Sequence, residues 1–147
     1  MKRRVIILAT AVACLSYGFI LESKIKKSEF TLQELIENPS VEVKVVSKGV
    51  YSKGSIMLNI TSDLKRNITL KIPKGTLFYP ENKDEQTLVV PQVEMIVLNK
   101  NSSKSIPVDG FCTEANDKCP KAGGSFSFGK SSDTKLNKLL TFLDKKK

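Results

Sequence analysis

The chain has 147 residues, of which 40% are hydrophobic and 27% are charged. This composition is ordinary for a globular protein and excludes wholesale disorder, while the length fits one domain and a targeting segment. The sequence contains no histidine. It therefore lacks the commonest general base and the commonest zinc or copper ligand, which excludes Ser–His and Cys–His catalysis and blue-copper chemistry.

The formal net charge is +9, and three of the cations lie at residues 2–4. Beyond them, lysine supplies every cation except Arg66. Proteins that read nucleic acid favour arginine, because its planar fork matches guanine and phosphate. The scattered lysines instead indicate solubility and a mild attraction to anionic surfaces, so we expect no nucleic-acid partner and no cofactor.

Residues 1–21 are predicted to be an export or membrane-anchor segment, because three basic residues precede an uncharged apolar stretch at residues 5–21. Residues 11–14 resemble a lipobox, which makes Cys14 a lipidation candidate. The alternatives are cleavage before Cys14 and an uncleaved anchor, whose 17 residues would span about 25 Å as a helix. In all three cases the basic cluster stays in the cytoplasm, and the rest of the chain lies on the periplasmic or cell-surface side or is secreted.

The body of the chain is predicted to be mainly β. Residues 22–40 read as a charged linker and a short helix, in which Thr31 and Glu34 form a capping box and Pro39 ends the helix. Short alternating strands follow over residues 41–130, with turn signals at intervals typical of an antiparallel immunoglobulin-like β-sandwich. The predicted strands are Val41 to Val46, Ile56 to Thr61, Ile68 to Ile72, Leu88 to Val90, Val93 to Leu98 and Lys104 to Phe111.

Residues 131–147 are predicted to form an amphipathic C-terminal helix, with Ser132 or Asp133 as its cap. Its apolar positions recur at helical spacing: Leu136, Leu139, Leu140 and Leu143.

Cys112 and Cys119 are the two cysteines outside the export segment. In an oxidising compartment their spacing favours a structural disulfide, worth about 2–3 kcal/mol for so small a loop. A redox-active pair is the alternative, although catalytic dithiols favour the C-x-x-C spacing.

Two carboxylate pairs are candidate sites for hydrolysis or calcium binding: Asp84 with Glu85, and Glu114 with Asp117. Neither follows a known calcium-loop spacing. We therefore expect no metal, no catalytic residue and no enzymatic activity, with a loop-carboxylate hydrolase as a remote alternative.

The region from Asn59 to Pro120 resembles a family of secreted, largely uncharacterised bacterial immunoglobulin-like domains. In that family a strand ends in I-P-x-G-T-x-F, a glutamine opens the next strand, and a cysteine closes the strand that follows. The matching segments here are residues 67–78, 86–90, 96–98, 103–108 and 111–112, followed by Pro120. The resemblance implies a β-sandwich outside the cytoplasm and carries over no catalytic residue.

Within this motif, two interpretations compete for Phe78, Tyr79 and Pro80. In the first, Pro73 stops a strand, Gly75 permits a turn with positive φ, and Phe78 folds back as part of the core. In the second, residues 78–80 are an exposed recognition loop.

The sequence therefore predicts a non-catalytic, membrane-tethered or exported binding or scaffold domain of a bacterial envelope. Its expected partners are an envelope protein or a surface polymer, together with the membrane that its N-terminal segment contacts. The alternative is a structural component of a larger membrane-associated assembly, docked through the two helices.

Overall fold

The computed structural model describes residues 28–50, 53–114, 116–130 and 133–144. The predicted export segment and its lipidation candidate Cys14 lie outside these residues. Within the described ranges, no helix has the length and apolarity needed to cross a bilayer.

The described residues form short strands with one helix near each end of the described chain. In chain order the elements are β1 (Glu29–Thr31), α1 (Leu32–Ile36), β2 (Val41–Ser47), β3 (Ile56–Ser62), β4 (Ile68–Ile72), β5 (Thr76–Pro80), β6 (Leu88–Val89), β7 (Glu94–Leu98), β8 (Ser102–Val108), β9 (Phe111–Cys112), β10 (Phe126–Lys130) and α2 (Thr134–Asp144).

The strands form three sheets. The first has the order β1-β4-β7, the second β2-β3-β8 and the third β10-β5-β6-β9. All pairs are antiparallel except β1 with β4, which is parallel. A bridge between Val46 and Ser125 joins the second sheet to the third. Beside it, the backbone of Ser47 exchanges two 2.8 Å hydrogen bonds with residues 123–124.

One main hydrophobic core receives side chains from all three sheets and from α1. The alternation that predicts the strands also decides which face is inside, because successive side chains point to opposite faces of a sheet. In β3 and β4 the alternate positions are almost fully buried: Ile56, Leu58, Ile60, Ile68, Leu70 and Ile72. The protein is thus mainly β, with mostly antiparallel sheets on a shared core, an arrangement consistent with a β-sandwich.

The observed strands differ from the predicted ones in several places, and one difference is β5, which occupies a segment where no strand is predicted. β1 lies in the predicted linker but pairs in parallel with β4, so residues 29–31 belong to the first sheet. β10 was not predicted, because its sequence F-S-F-G-K is short and contains glycine, which is rare in strands. The single strand predicted from Lys104 to Phe111 is two, β8 and β9, since the chain passes from the second sheet to the third between them.

The turn between β8 and β9 is held by side chains and backbone of the β2–β3 hairpin. The Asp109 carboxylate accepts a hydrogen bond from the Gly54 amide at 2.7 Å, and the Gly110 carbonyl accepts one from the Ser55 hydroxyl at 2.8 Å. Ser55 is fully buried. These bonds satisfy polar groups that the change of sheet would otherwise leave without partners.

α1 has both hydrogen bonds of the capping box predicted for Thr31 and Glu34: the Glu34 amide donates to the Thr31 hydroxyl, and the Thr31 amide donates to the Glu34 carboxylate. Leu32 and Leu35 are buried in the main core. Packing rather than length stabilises this helix, because five residues are too few for an isolated one.

α2 lies on the outer face of the third sheet. Leu140 is buried there with Leu77 and Val89, and Leu136 packs against them. The Asp133 carboxylate caps the helix by accepting hydrogen bonds from the amides of residues 135 and 136 at 2.7 and 3.3 Å.

Candidate functional site

Phe78, Tyr79 and Pro80 do not form the predicted loop: they are the last three residues of strand β5. Phe78 is fully buried in the main core, and only Tyr79 is substantially exposed, at 38%. The turn before the strand does use Gly75 with φ of 80°. The alternative interpretation, in which Phe78 is part of the core, is the correct one.

The structure does not contain the predicted disulfide between Cys112 and Cys119. Cys112 packs against the main core at the edge of the third sheet. Both ends of the intervening loop are held by backbone hydrogen bonds of 3.0 and 2.9 Å to the segment 86–87. Hydrogen bonds thus hold the loop that the disulfide was expected to close.

Burial raises the pKa of the Cys112 thiol, and the neighbouring Cys119 and Glu114 raise it further. Because the thiolate is the reactive form, we expect iodoacetamide to alkylate Cys112 more slowly at pH 8 in the folded protein than in urea. The rate should rise with pH and increase in Glu114→Gln. Peptide-resolved mass spectrometry of the reduced protein would measure it, with Glu94→Gln as the control for lost negative charge.

The same shift has a consequence for stability. Since the folded protein keeps the Cys112 proton to a higher pH than the unfolded chain does, the stability associated with this group is complete below the unfolded thiol's pKa. It is lost as the pH rises from there through the folded-state pKa.

Alkylation at pH 8 that is as fast in the folded state as in urea would contradict the raised pKa of Cys112.

The two carboxylate pairs lie on neighbouring segments. A bridge joins Glu85 to Lys118, and the Lys118 amide donates to the Asp84 carbonyl at 3.2 Å. Glu85 is buried, and its carboxylate accepts a hydrogen bond from the side-chain amide of Asn82 at 3.2 Å. Across the described residues, no group of three acidic or cysteine side chains is arranged to hold a metal ion.

A groove of about 240 Å³ between β5 and the start of α2 includes Tyr79, Glu114 and Asp133 in its lining. Its two carboxylates have local structural roles. Glu114 accepts a hydrogen bond from the Thr87 amide at 2.9 Å, and Asp133 caps α2. Both carboxylates of the groove therefore accept hydrogen bonds from backbone amides and stabilise the local backbone.

The most distinctive surface is a row of apolar side chains along β7. Met95 and Val97 are 52% and 57% exposed, and Val93, the residue directly before β7, is 51% exposed. We call these three residues the β7 strip. Alternation along the strand explains the row: Ile96 packs against the main core and Leu98 is buried in it, so the odd-numbered residues face outward.

Met95 and Val97 lie opposite Lys71 and Thr69 of β4, respectively. Lys71 forms an ion pair with Glu29 of β1 at 3.2 Å. The strip therefore borders a polar surface formed by the other two strands of the first sheet.

β7 is also an edge strand. In the described part of the chain, β4 is the one strand that pairs with it. Lys104 of β8 donates a hydrogen bond from its ammonium group to the Val97 carbonyl at 3.1 Å. Edge strands with apolar side chains are templates for pairing with another chain, and a lysine at the edge is a common guard against uncontrolled pairing.

The sequence predicts the strand β7 but does not predict that the strip is exposed. The available signal was the run Val93 to Leu98, where residues on both faces are apolar apart from Glu94. Such a run is typical of a strand buried on both faces, so it does not by itself indicate a binding surface.

A second exposed apolar surface lies on α2, where Leu139 and Phe142 are each 53% exposed.

Comparisons of the chain with protein-family models, with curated proteins and with solved structures find no match.

Proposed function

We propose that this protein is a non-catalytic, membrane-tethered or exported binding module of a bacterial envelope, which binds an extended segment of an envelope protein along β7. The observation that carries the proposal is the β7 strip, whose side chains are more than half exposed on an edge strand and on the residue directly before it. Large apolar side chains in a row on a surface are typical of interaction sites.

Strand addition uses both features of β7. The incoming segment forms main-chain hydrogen bonds with the edge, and its alternate side chains contact the alternate side chains of the strip. The lysine contact to the Val97 carbonyl must be displaced, but it is an exposed hydrogen bond, and such bonds contribute only about 0.5–1.5 kcal/mol. An apolar strip suits a protein segment better than a hydroxyl-rich surface polymer.

The cellular setting of the proposal is supported by the sequence. The basic cluster and apolar stretch within residues 1–21 favour export or anchoring, and the motif from residues 67–78 onward resembles secreted immunoglobulin-like domains. We include the immunoglobulin-like topology in the proposal on this resemblance. The antiparallel sheets on one core are consistent with it.

The test is site-specific photo-crosslinking of the full chain in native membranes. A photoreactive amino acid at Met95 is expected to yield a discrete adduct with a partner protein. The control site is Thr61, which is also exposed on a strand but lies in β3 between two other strands.

Adding Val97→Lys to the Met95 probe is expected to lower the adduct yield roughly tenfold. In the complex a charge would then lie where the partner covers an apolar side chain, which costs about 1.4 kcal/mol or more of binding free energy. Adducts of the same pattern from both sites, or a yield that Val97→Lys leaves unchanged, would refute the proposal.

The second candidate is a structural component docked through its helices. The exposed Leu139 and Phe142 of α2 favour it. α1 contributes little, because Leu32 and Leu35 face the main core and Ile36, 41% exposed, is the one exposed apolar side chain in this helix. Of the two docking helices that this alternative requires, α2 alone offers an extended apolar face.

A further inference from the structure

We infer that α2 binds the surface of a bilayer that contains anionic lipids, through a face formed by Lys135, Lys138, Leu139 and Phe142. We call these four residues the α2 face. The inference goes beyond the proposed function, since it concerns a helix on the third sheet, away from β7, and a different kind of partner.

The geometry of the helix gathers these four side chains on one side. Their spacing of three, four and seven residues places them in a single stripe along an α-helix. Leu136 and Leu140 occupy the other side, where they pack on Leu77 and Val89. The helix thus has one apolar side against the protein and a second, mixed side that is exposed to solvent.

The charge of the face selects an anionic partner. Both lysines are exposed; Lys138 lies within about one turn of Leu139 and Phe142, and Lys135 lies about one turn before Leu139. Three further lysines follow at residues 145–147, beyond the described helix, and Asp144 is the single acidic residue from position 134 onward. Cations around a small apolar centre are the pattern of helices that lie in the headgroup region of a membrane.

The size of the face favours lipid over a protein. A stable protein interface buries about 800 Å² on each partner, far more than two half-exposed side chains provide. Membrane-surface binding needs less apolar area, because each lysine near an anionic surface adds about 1 kcal/mol. Lipid is therefore the occupant that fits both the charge and the limited apolar area.

The test uses Phe142→Trp in the full chain. The natural chain has no tryptophan, so all tryptophan fluorescence then comes from the α2 face. The protein is reconstituted into vesicles of phosphatidylcholine alone or mixed with phosphatidylglycerol, with brominated phosphatidylcholine as the quencher. We expect a blue-shifted emission and quenching in the mixed vesicles, and much less of both in phosphatidylcholine alone.

Reversing both charges, with Lys135→Glu and Lys138→Glu, is expected to abolish the quenching or weaken it at least roughly tenfold. The matched control reverses two exposed lysines elsewhere, Lys53 and Lys83, and should leave the quenching unchanged. A second control, Thr61→Trp in the otherwise natural chain, shows what proximity to the vesicle alone produces.

Three results would overturn the inference: no quenching in either vesicle, equal loss of quenching in both double variants, or a blue shift that depends on protein concentration without lipid. The last would mean that a second protein copy covers the face. None of these results bears on crosslinking at Met95, so failure of this inference is distinguishable from failure of the proposed function.

Discussion

Replacing Phe78 with alanine is expected to lower the free energy of unfolding by about 3–5 kcal/mol. The side chain is fully buried in the main core. Its ring meets the Phe126 ring edge-on, with centroids 6.2 Å apart, and lies 6.3 Å from that of Phe128. Alanine would leave a cavity and remove both ring contacts, each worth about 0.5–1.5 kcal/mol beyond the buried area.

Urea denaturation followed by circular dichroism would measure the change. The matched control is Tyr79→Ala, one residue along the same strand, where the side chain is 38% exposed and the expected loss is smaller. Since domains are stable by only about 5–15 kcal/mol, the Phe78 variant should show a clearly lower midpoint. Equal midpoints for the two variants would contradict the assignment of Phe78 to the core.

Replacing Gly49 with alanine is expected to destabilise the protein for two separate reasons. Its φ of +71° lies in the left-handed region, which costs a residue with a Cβ atom about 1–2 kcal/mol. In addition, the new Cβ would lie 2.9 Å from the backbone nitrogen of Ala122. The neighbouring backbone has to move, which typically costs about 1–3 kcal/mol more.

Gly123→Ala separates the two effects, because Gly123 has φ of +81° but no atom within 4 Å of the added Cβ. It should lose only the conformational part, so its unfolding midpoint should lie between those of the natural protein and Gly49→Ala. The comparison also tests the junction between the second and third sheets, since Gly49 follows Ser47, which bonds to residues 123–124. Equal effects from both substitutions would argue against the close approach.

Much of the β structure could be predicted from local sequence patterns. β2, β3 and β4 follow the alternation of their sequences, and α1 begins at the predicted capping box. These features depend on neighbours within a few residues, so the chain itself specifies them. The packing of the loop between Cys112 and Cys119 depends instead on hydrogen bonds to residues 86–87, a segment distant in the chain, so no local pattern predicts it.

The clearest contrast is between β5 and β7, which have apolar residues on both faces. In β5, Phe78 faces the main core and Leu77 is covered by α2 from the other side. In β7, Ile96 packs against the core, while Met95 and Val97 on the opposite face are more than half exposed. The two sequences alone could not distinguish a strand covered on both sides from one with an open side.

The sequence by itself determined the mainly β class, the positions of most strands and the cap of the first helix, because alternation and capping act within a few residues. Only the tertiary structure decided which apolar residues are covered, because covering depends on elements far apart in the chain. α2 covers Leu77, some sixty residues before it, and leaves the β7 strip exposed. That placement turns an ordinary apolar strand into the candidate binding site.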